Sequence, residues 1–257
     1  MRRRALALAL GTLLALLSFA ACSSAGSAAT SGTPSSVSTK DGHTFLHRSV
    51  TLSGGTTIQY AVVLPPNFDP SRTYPILLAL PPGGQDLATV DALVNAYWIR
   101  GAARGWIVLS PAAPGGQLYF EGAESLIPAF LDRTAQDYHP EGGTYAIAGI
   151  SNGGLSAFRI ILNTPRRFQA LLTLPGYPPE DADQQKLPTI AKLPIALYVG
   201  AQDDGWRQQV EQTYRDLKAL GARVSLTVVP GKAHILDGAV DPDKLFDFLD
   251  ASRNAHP

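Results

Sequence analysis

The apolar positions change their rhythm once along this chain. Residues 44–52 and 57–64 have strand composition. Within the second run, Ile58-Gln59-Tyr60-Ala61-Val62-Val63 is rich in β-branched and aromatic residues, and Gly54-Gly55 separates the two runs. That pairing predicts an antiparallel hairpin. Pro65-Pro66-Asn67-Phe68-Asp69-Pro70 then forces a loop. From there short continuous apolar runs alternate with helical stretches. Ile76-Leu77-Leu78-Ala79-Leu80 is apolar at every position, as expected of a strand buried on both faces. Further strands are predicted at 106–109, 145–150, 168–174, 195–199 and 224–229. Helices are predicted at 87–103, 121–138 with a kink at Pro128, 152–163, 207–220 and 242–251. About eight strands, the first two antiparallel and the rest in βα units, define an α/β class with a mostly parallel sheet covered by helices on both faces.

The ends of the chain do not fit this pattern. Arg2-Arg3-Arg4 precede a Leu- and Ala-rich stretch to Ala21, which reads as an export signal. Phe19-Ala20-Ala21-Cys22 resembles a bacterial lipobox, with Phe19 where Leu is usual. Cys22 is the only cysteine, so it can form no internal disulfide and is the expected lipidation site. Residues 23–39 carry no charge and almost no large apolar side chain, which predicts a flexible tether. The folded domain is then expected over 40–257, and the chain is expected to be exported, lipid-anchored and monomeric. Lys and Arg total 21, as do Asp and Glu, and the basic residues are scattered. Nothing in that distribution points to nucleic acid.

Open α/β sheets place their sites beyond the carboxyl ends of the strands. Gly149-Ile150-Ser151-Asn152-Gly153 stands there, between a predicted strand and a predicted helix. About one such chain in seven would carry G-x-S-x-G by chance, so context decides. In a strained strand–turn–helix elbow the outer glycines are required because side chains at those positions would collide. A serine nucleophile needs a base. His43 and His47 lie on the first strand, His139 precedes the strand leading to Ser151, and His256 is terminal. His234 alone follows a strand at the carboxyl edge. Asp203 and Asp204 both follow the 195–199 strand, and either could orient His234, with Asp203 preferred and its neighbour capping the next helix. The order Ser, Asp, His is that of the α/β-hydrolases.

On these stretches, together with Leu64-Pro65-Pro66-Asn67-Phe68-Asp69, Tyr74 to Leu80, Gly200 to Asp203 and Gly231 to His234, the chain resembles the α/β-hydrolase superfamily. More narrowly it resembles secreted bacterial esterases of the polyhydroxybutyrate-depolymerase and feruloyl-esterase type. The resemblance covers nearly all of residues 57–250. It implies a Ser151–Asp203–His234 triad, with the acid three residues after Gly200, acting on carboxylic esters without a cofactor. It also implies an oxyanion hole. One donor would be the N–H of Asn152. The other would come from the loop after Leu80, with Gln85 preferred and Gly84 the alternative. Relatives usually have His-Gly in that loop, where this chain has Pro82-Gly83. Gly84, Tyr119, Tyr177 and Trp206 are candidates for the pocket wall. Only 20 residues, Pro175 to Pro194, separate two strands there, too few for a helical lid. No metal cluster or phosphate-binding loop is present in the sequence. The competing reading is the same fold without catalysis, an anchored binding module.

Overall fold

The computed structural model describes residues 37–40 and 42–253. The predicted signal, Cys22 and the tether as far as residue 36 lie outside the described residues, as does His256. One nine-stranded sheet runs through the described residues in the order β1-β2-β3-β5-β4-β6-β7-β8-β9. Strand β1 (Val37–Lys40) pairs antiparallel with β2 (His43–Thr51), and β2 with β3 (Thr57–Leu64). The turn predicted at Gly54-Gly55 joins β2 to β3, with Gly55 at φ +82°. Strand β1 corrects the expected tether, which overlapped it at residues 37–39. Edge pairing draws on backbone N–H and C=O groups, so a segment with few apolar side chains can still join a sheet.

The remaining strands are β4 (Ile76–Leu80), β5 (Ile107–Pro111), β6 (Tyr145–Gly149), β7 (Phe168–Thr173), β8 (Ile195–Gly200) and β9 (Val224–Val229). Pairing is parallel from β5 across to β9. Alternate residues of β4 enter two separate cores. Ile76, Leu78 and Leu80 join one with Phe130, Phe158 and Leu217. Leu77 and Ala79 join the other with Val90, Trp98 and Phe246. All five β4 side chains are fully buried, which is why the strand reads as an unbroken apolar run.

Helices α2 (Ile127–Thr134), α3 (Asn152–Asn163) and α5 (Asp204–Ala219) cover the first face; α1 (Leu87–Leu93) and α6 (Pro242–Arg253) cover the second. A one-turn helix, α4 (Asp181–Gln184), is tied to α3 by Arg159 Nε donating to Asp183 at 2.7 Å. Two predicted helices take a different form. The segment expected as one helix over 87–103 is α1, then a wide π turn over Val94–Trp98, then a 3₁₀ turn over Ile99–Arg104. Gly101 lies against the Phe246 ring, where a Cβ would sit 2.3 Å from the ring, and Gly105 ends the segment at φ +82°. The helix expected over 121–138 is confined to α2, preceded by a 3₁₀ turn over Ala123–Leu126. Pro128 stands in its first turn, where no N–H is needed, so it starts the helix instead of kinking it.

The strand order positions the site. From β4 the chain passes to β5 on one side, and then to β6 on the other. A crevice therefore opens between the carboxyl ends of β4 and β6. Leu80 pairs with Gly149 across that gap. The loop after β4 and the turn carrying Ser151 are brought side by side.

Candidate active site

Ser151 occupies the turn between β6 and α3 at φ +56°, ψ −121°. A non-glycine residue rarely holds that conformation, which costs about 1–3 kcal/mol and persists only where packing enforces it. Here the enforcement is visible. Ser151 N–H donates to Pro175 O at 3.0 Å. A Cβ on Gly149 would lie 2.0 Å from Gly153 O, and one on Gly153 would lie 2.1 Å from Leu80 O. Both outer glycines of the motif thus have the steric role expected of them. Gly154 is equally constrained, its Cβ position being 2.1 Å from Pro175 O.

His234 follows β9 and brings its Nε2 to 2.7 Å from Ser151 Oγ. Its Nδ1 lies 2.7 Å from Asp203 Oδ2. The carboxylate selects the tautomer with hydrogen on Nδ1, leaving Nε2 to accept from the Ser151 hydroxyl. Asp203 is held where β8 ends. A Cβ on Gly200 would sit 2.0 Å from Ala233 O, so only glycine lets the two loops touch. Gln202 N–H then donates to Lys232 O at 2.8 Å. Asp204 does not approach the imidazole. It begins α5, is exposed and pairs with Arg207 at 3.3 Å. The capping position belongs to Asp203 itself, without a side-chain cap bond. His43 is buried on β2, and His47 Nε2 is 2.6 Å from Asp91. His139 is exposed, with its carbonyl accepting from Tyr74 N–H near the amino end of β4. None of these three joins the site.

One of the expected wall residues lies against the imidazole, and a second packs on the first. The Trp206 ring lies 4.7 Å from the His234 ring, and Tyr177 meets Trp206 edge-on at 5.0 Å. Burial raises the Tyr177 hydroxyl above its ordinary value, and the Asp203 charge adds to the shift, so it stays protonated. Tyr119 is not a wall residue. It is fully buried, with its hydroxyl donating to Ala112 O at 2.8 Å.

Gln85 also departs from expectation. Its N–H donates to Pro82 O at 3.1 Å, and the residue is fully buried at φ +55°. That N–H is directed into its own turn and not toward Ser151. Its side chain is instead a bracket. Nε2 donates to Pro81 O and to Ser156 Oγ, at 3.1 and 2.9 Å, and Oε1 accepts from Tyr119 N–H at 2.8 Å. Ser156 Oγ in turn donates to Asn152 O at 2.8 Å. Gln85 therefore fixes the loop after β4 against α3. Gly84 is exposed and does not line the cleft at Ser151; Gly83 and Pro82 do. Gly83 also accepts, through its carbonyl, from Asn152 Nδ2 at 2.9 Å. Among the described residues, neither the Gly83 nor the Asn152 N–H meets an acceptor. Gln85 was given a different role, and Gly83 and the steric part of Gly200 were not singled out, because these roles depend on close approach between loops distant in sequence.

Ser151 and His234 share a cleft of about 390 Å³ with the face of α1 and the π turn that follows it. A larger cleft, about 660 Å³, lies beyond Ala96, Tyr97 and Asp237 and contains none of Ser151, Asp203 and His234.

No protein-family model matches this chain, and no curated protein matches it in sequence. Solved structures do. A thermostable esterase superposes with a TM-score of 0.67 at 19% identity over 82% of this chain. The chain spans 62% of that esterase's length. A feruloyl esterase module from Clostridium thermocellum, complexed with sinapinate, gives 0.65 at 16% identity, covering 86% of this chain and 94% of the module. An S-formylglutathione hydrolase from Agrobacterium tumefaciens gives 0.64 at 16% identity, covering 87% of this chain and 98% of that one. At this level of identity the likeness establishes the fold, which is that of the α/β-hydrolases.

Proposed function

We propose that this chain is a serine esterase, hydrolysing carboxylic esters through an acyl-enzyme on Ser151. The observation that carries the reading is the unbroken relay Ser151–His234–Asp203, with 2.7 Å at both contacts. Its support comes from the position of the relay at the crevice between β4 and β6, and from solved structures of the same fold that are esterases.

In this mechanism His234 Nε2 takes the Ser151 proton as Oγ attacks the ester carbonyl. Asp203 accepts from Nδ1–H and stabilises the imidazolium. The oxyanion is received by the N–H groups of Asn152 and Gly83, each donor being worth about 10²–10³ in rate. Gly83 replaces Gln85 in this role because the Gln85 N–H is directed to Pro82. The imidazolium then protonates the departing alcohol, and water, activated by His234, cleaves the acyl-enzyme. Trp206 lies against the imidazole, and the departing alcohol is assigned to that side of the ring.

A fluorophosphonate probe tests the reading. The wild-type chain should be labelled and Ser151→Ala should not; an unlabelled wild type would make the chain a binding module. The signal-like N-terminus supports export and anchoring through a lipidated Cys22, with the domain acting as a monomer. Radiolabelled palmitate should enter the wild type and not Cys22→Ser. Incorporation into both would move the anchor elsewhere.

A further inference from the structure

We infer that the cleft beside Ser151 is an acyl subsite built for straight aliphatic chains, with Ala92 and Ala96 setting the length it accepts. The inference rests on the esterase reading and narrows its substrate class.

The cleft's apolar wall is aliphatic. Leu93, Ile150 and Leu236 line it together with the two alanines, and Ile235 stands at the mouth. Ile235 is 63% exposed, the most exposed large apolar side chain among the described residues, and it directly follows His234. Its side chain extends the apolar wall of the cleft out to solvent. The aromatic surface of the site is elsewhere, at Trp206 on the imidazole and Tyr177 behind it. The one aromatic residue in the cleft, Tyr97, donates its hydroxyl to Asp237 at 2.6 Å. Burial and, after it, that bond hold the Tyr97 hydroxyl well above its ordinary value, so the phenol stays neutral and hydrogen-bonded. The Asp237 carboxylate also disfavours a chain ending in an anion.

The orientation is part of the inference. The departing alcohol must reach Nε2 of His234, which also borders the cleft. Assigning the alcohol to the Trp206 side of the ring leaves the cleft to the acyl chain. Ala92 and Ala96 stand four residues apart on α1 and the π turn, and both are exposed. Methyl groups there leave space that a larger side chain would fill.

The test measures kcat/KM for p-nitrophenyl acetate, butyrate, hexanoate and octanoate, and for a matching series of alkyl acetates. In the wild type each added acyl methylene should raise kcat/KM roughly fourfold until the cleft is full. The alkyl acetate series should be flatter, and methyl ferulate slower than methyl butyrate. Ala96→Phe and Ala92→Leu should each lower the hexanoate-to-acetate ratio about tenfold. Leu220→Ser, an exposed apolar residue remote from the cleft, should leave the ratio unchanged. An unchanged ratio in both alanine variants, or chain-length dependence confined to the alcohol series, would overturn the subsite while leaving the esterase intact. Failure to hydrolyse any ester would instead remove the reading on which it rests.

Discussion

Ser151 and His234 stand 2.7 Å apart, yet the chain holds them by different means. The turn around Ser151 is fixed by backbone against backbone. Gly149, Gly153 and Gly154 have no room for a methyl group, and the Gln85 side chain ties the neighbouring loop to α3. The turn around His234 runs over the surface, where Gly231, Ala233, Ile235 and Asp237 are exposed. Apart from the close approach of Gly200 to Ala233, it is held by polar tethers. Gln202 N–H reaches Lys232 O, Lys232 Nζ donates to Asp237 O at 2.9 Å, and Tyr97 donates to the Asp237 carboxylate. The difference separates two consequences. Changes on the Ser151 side should act on folding and activity together, because that turn is part of the core. Changes on the His234 side should act on turnover while the fold survives.

The largest expected effect is on the His234 side. Asp203→Asn should lower kcat about 10⁴-fold with the melting temperature nearly unchanged, whereas Asp204→Asn should stay within about twofold. Steady-state kinetics beside thermal denaturation read both; equal losses in the two variants would put the acid assignment wrong. Next comes Gly153→Ala. Its methyl would meet Leu80 O, a backbone atom that cannot turn aside, and destabilisation by about 3 kcal/mol is expected in urea unfolding. Normal stability there would mean that the turn can relax, and the contrast would fail. Gln85→Leu should cost about 2 kcal/mol, since it leaves Tyr119 N–H and Pro81 O buried without partners. Its activity should fall together with its stability. The smallest effect belongs to Tyr97→Phe, which removes one tether of the His234 turn: about threefold in kcat is expected, with little change in unfolding. A larger loss of stability than of turnover would place Tyr97 on the wrong side of the comparison.

The same contrast explains how far the site could be read before folding. Ser151 and His234 were legible because each directly follows a strand whose apolar run marks it, and strand ends fix which edge a residue occupies. Asp203 was legible as one of a pair, preferred over Asp204 through the resemblance. What brings it to the imidazole is the contact of Gly200 with the His234 loop, which joins residues 33 positions apart. Gln85 was misread because its residue type allows both a surface loop and a buried bracket, and the deciding partners come from Pro81, Ser156 and Tyr119. Tyr119 was misread with it, being the other end of the same bracket. In the fold, β4 declared itself by burial on both faces, whereas β1 joins the sheet through its backbone and has no apolar signature to read. The 87–103 helix had the right composition; Gly101 against Phe246 and the turn at Gly105 shaped its second half.

The most direct test of the relay is to trap its intermediate. The purified domain is mixed with p-nitrophenyl acetate, quenched in acid within the first turnover and digested for mass spectrometry. We expect an acetyl group on the peptide carrying Ser151, at close to one per chain, preceded by a burst of p-nitrophenol of equal size. His234→Ala should show neither. Ester hydrolysis at full rate with no acetyl group on Ser151, or an acetyl group on another residue, would contradict it.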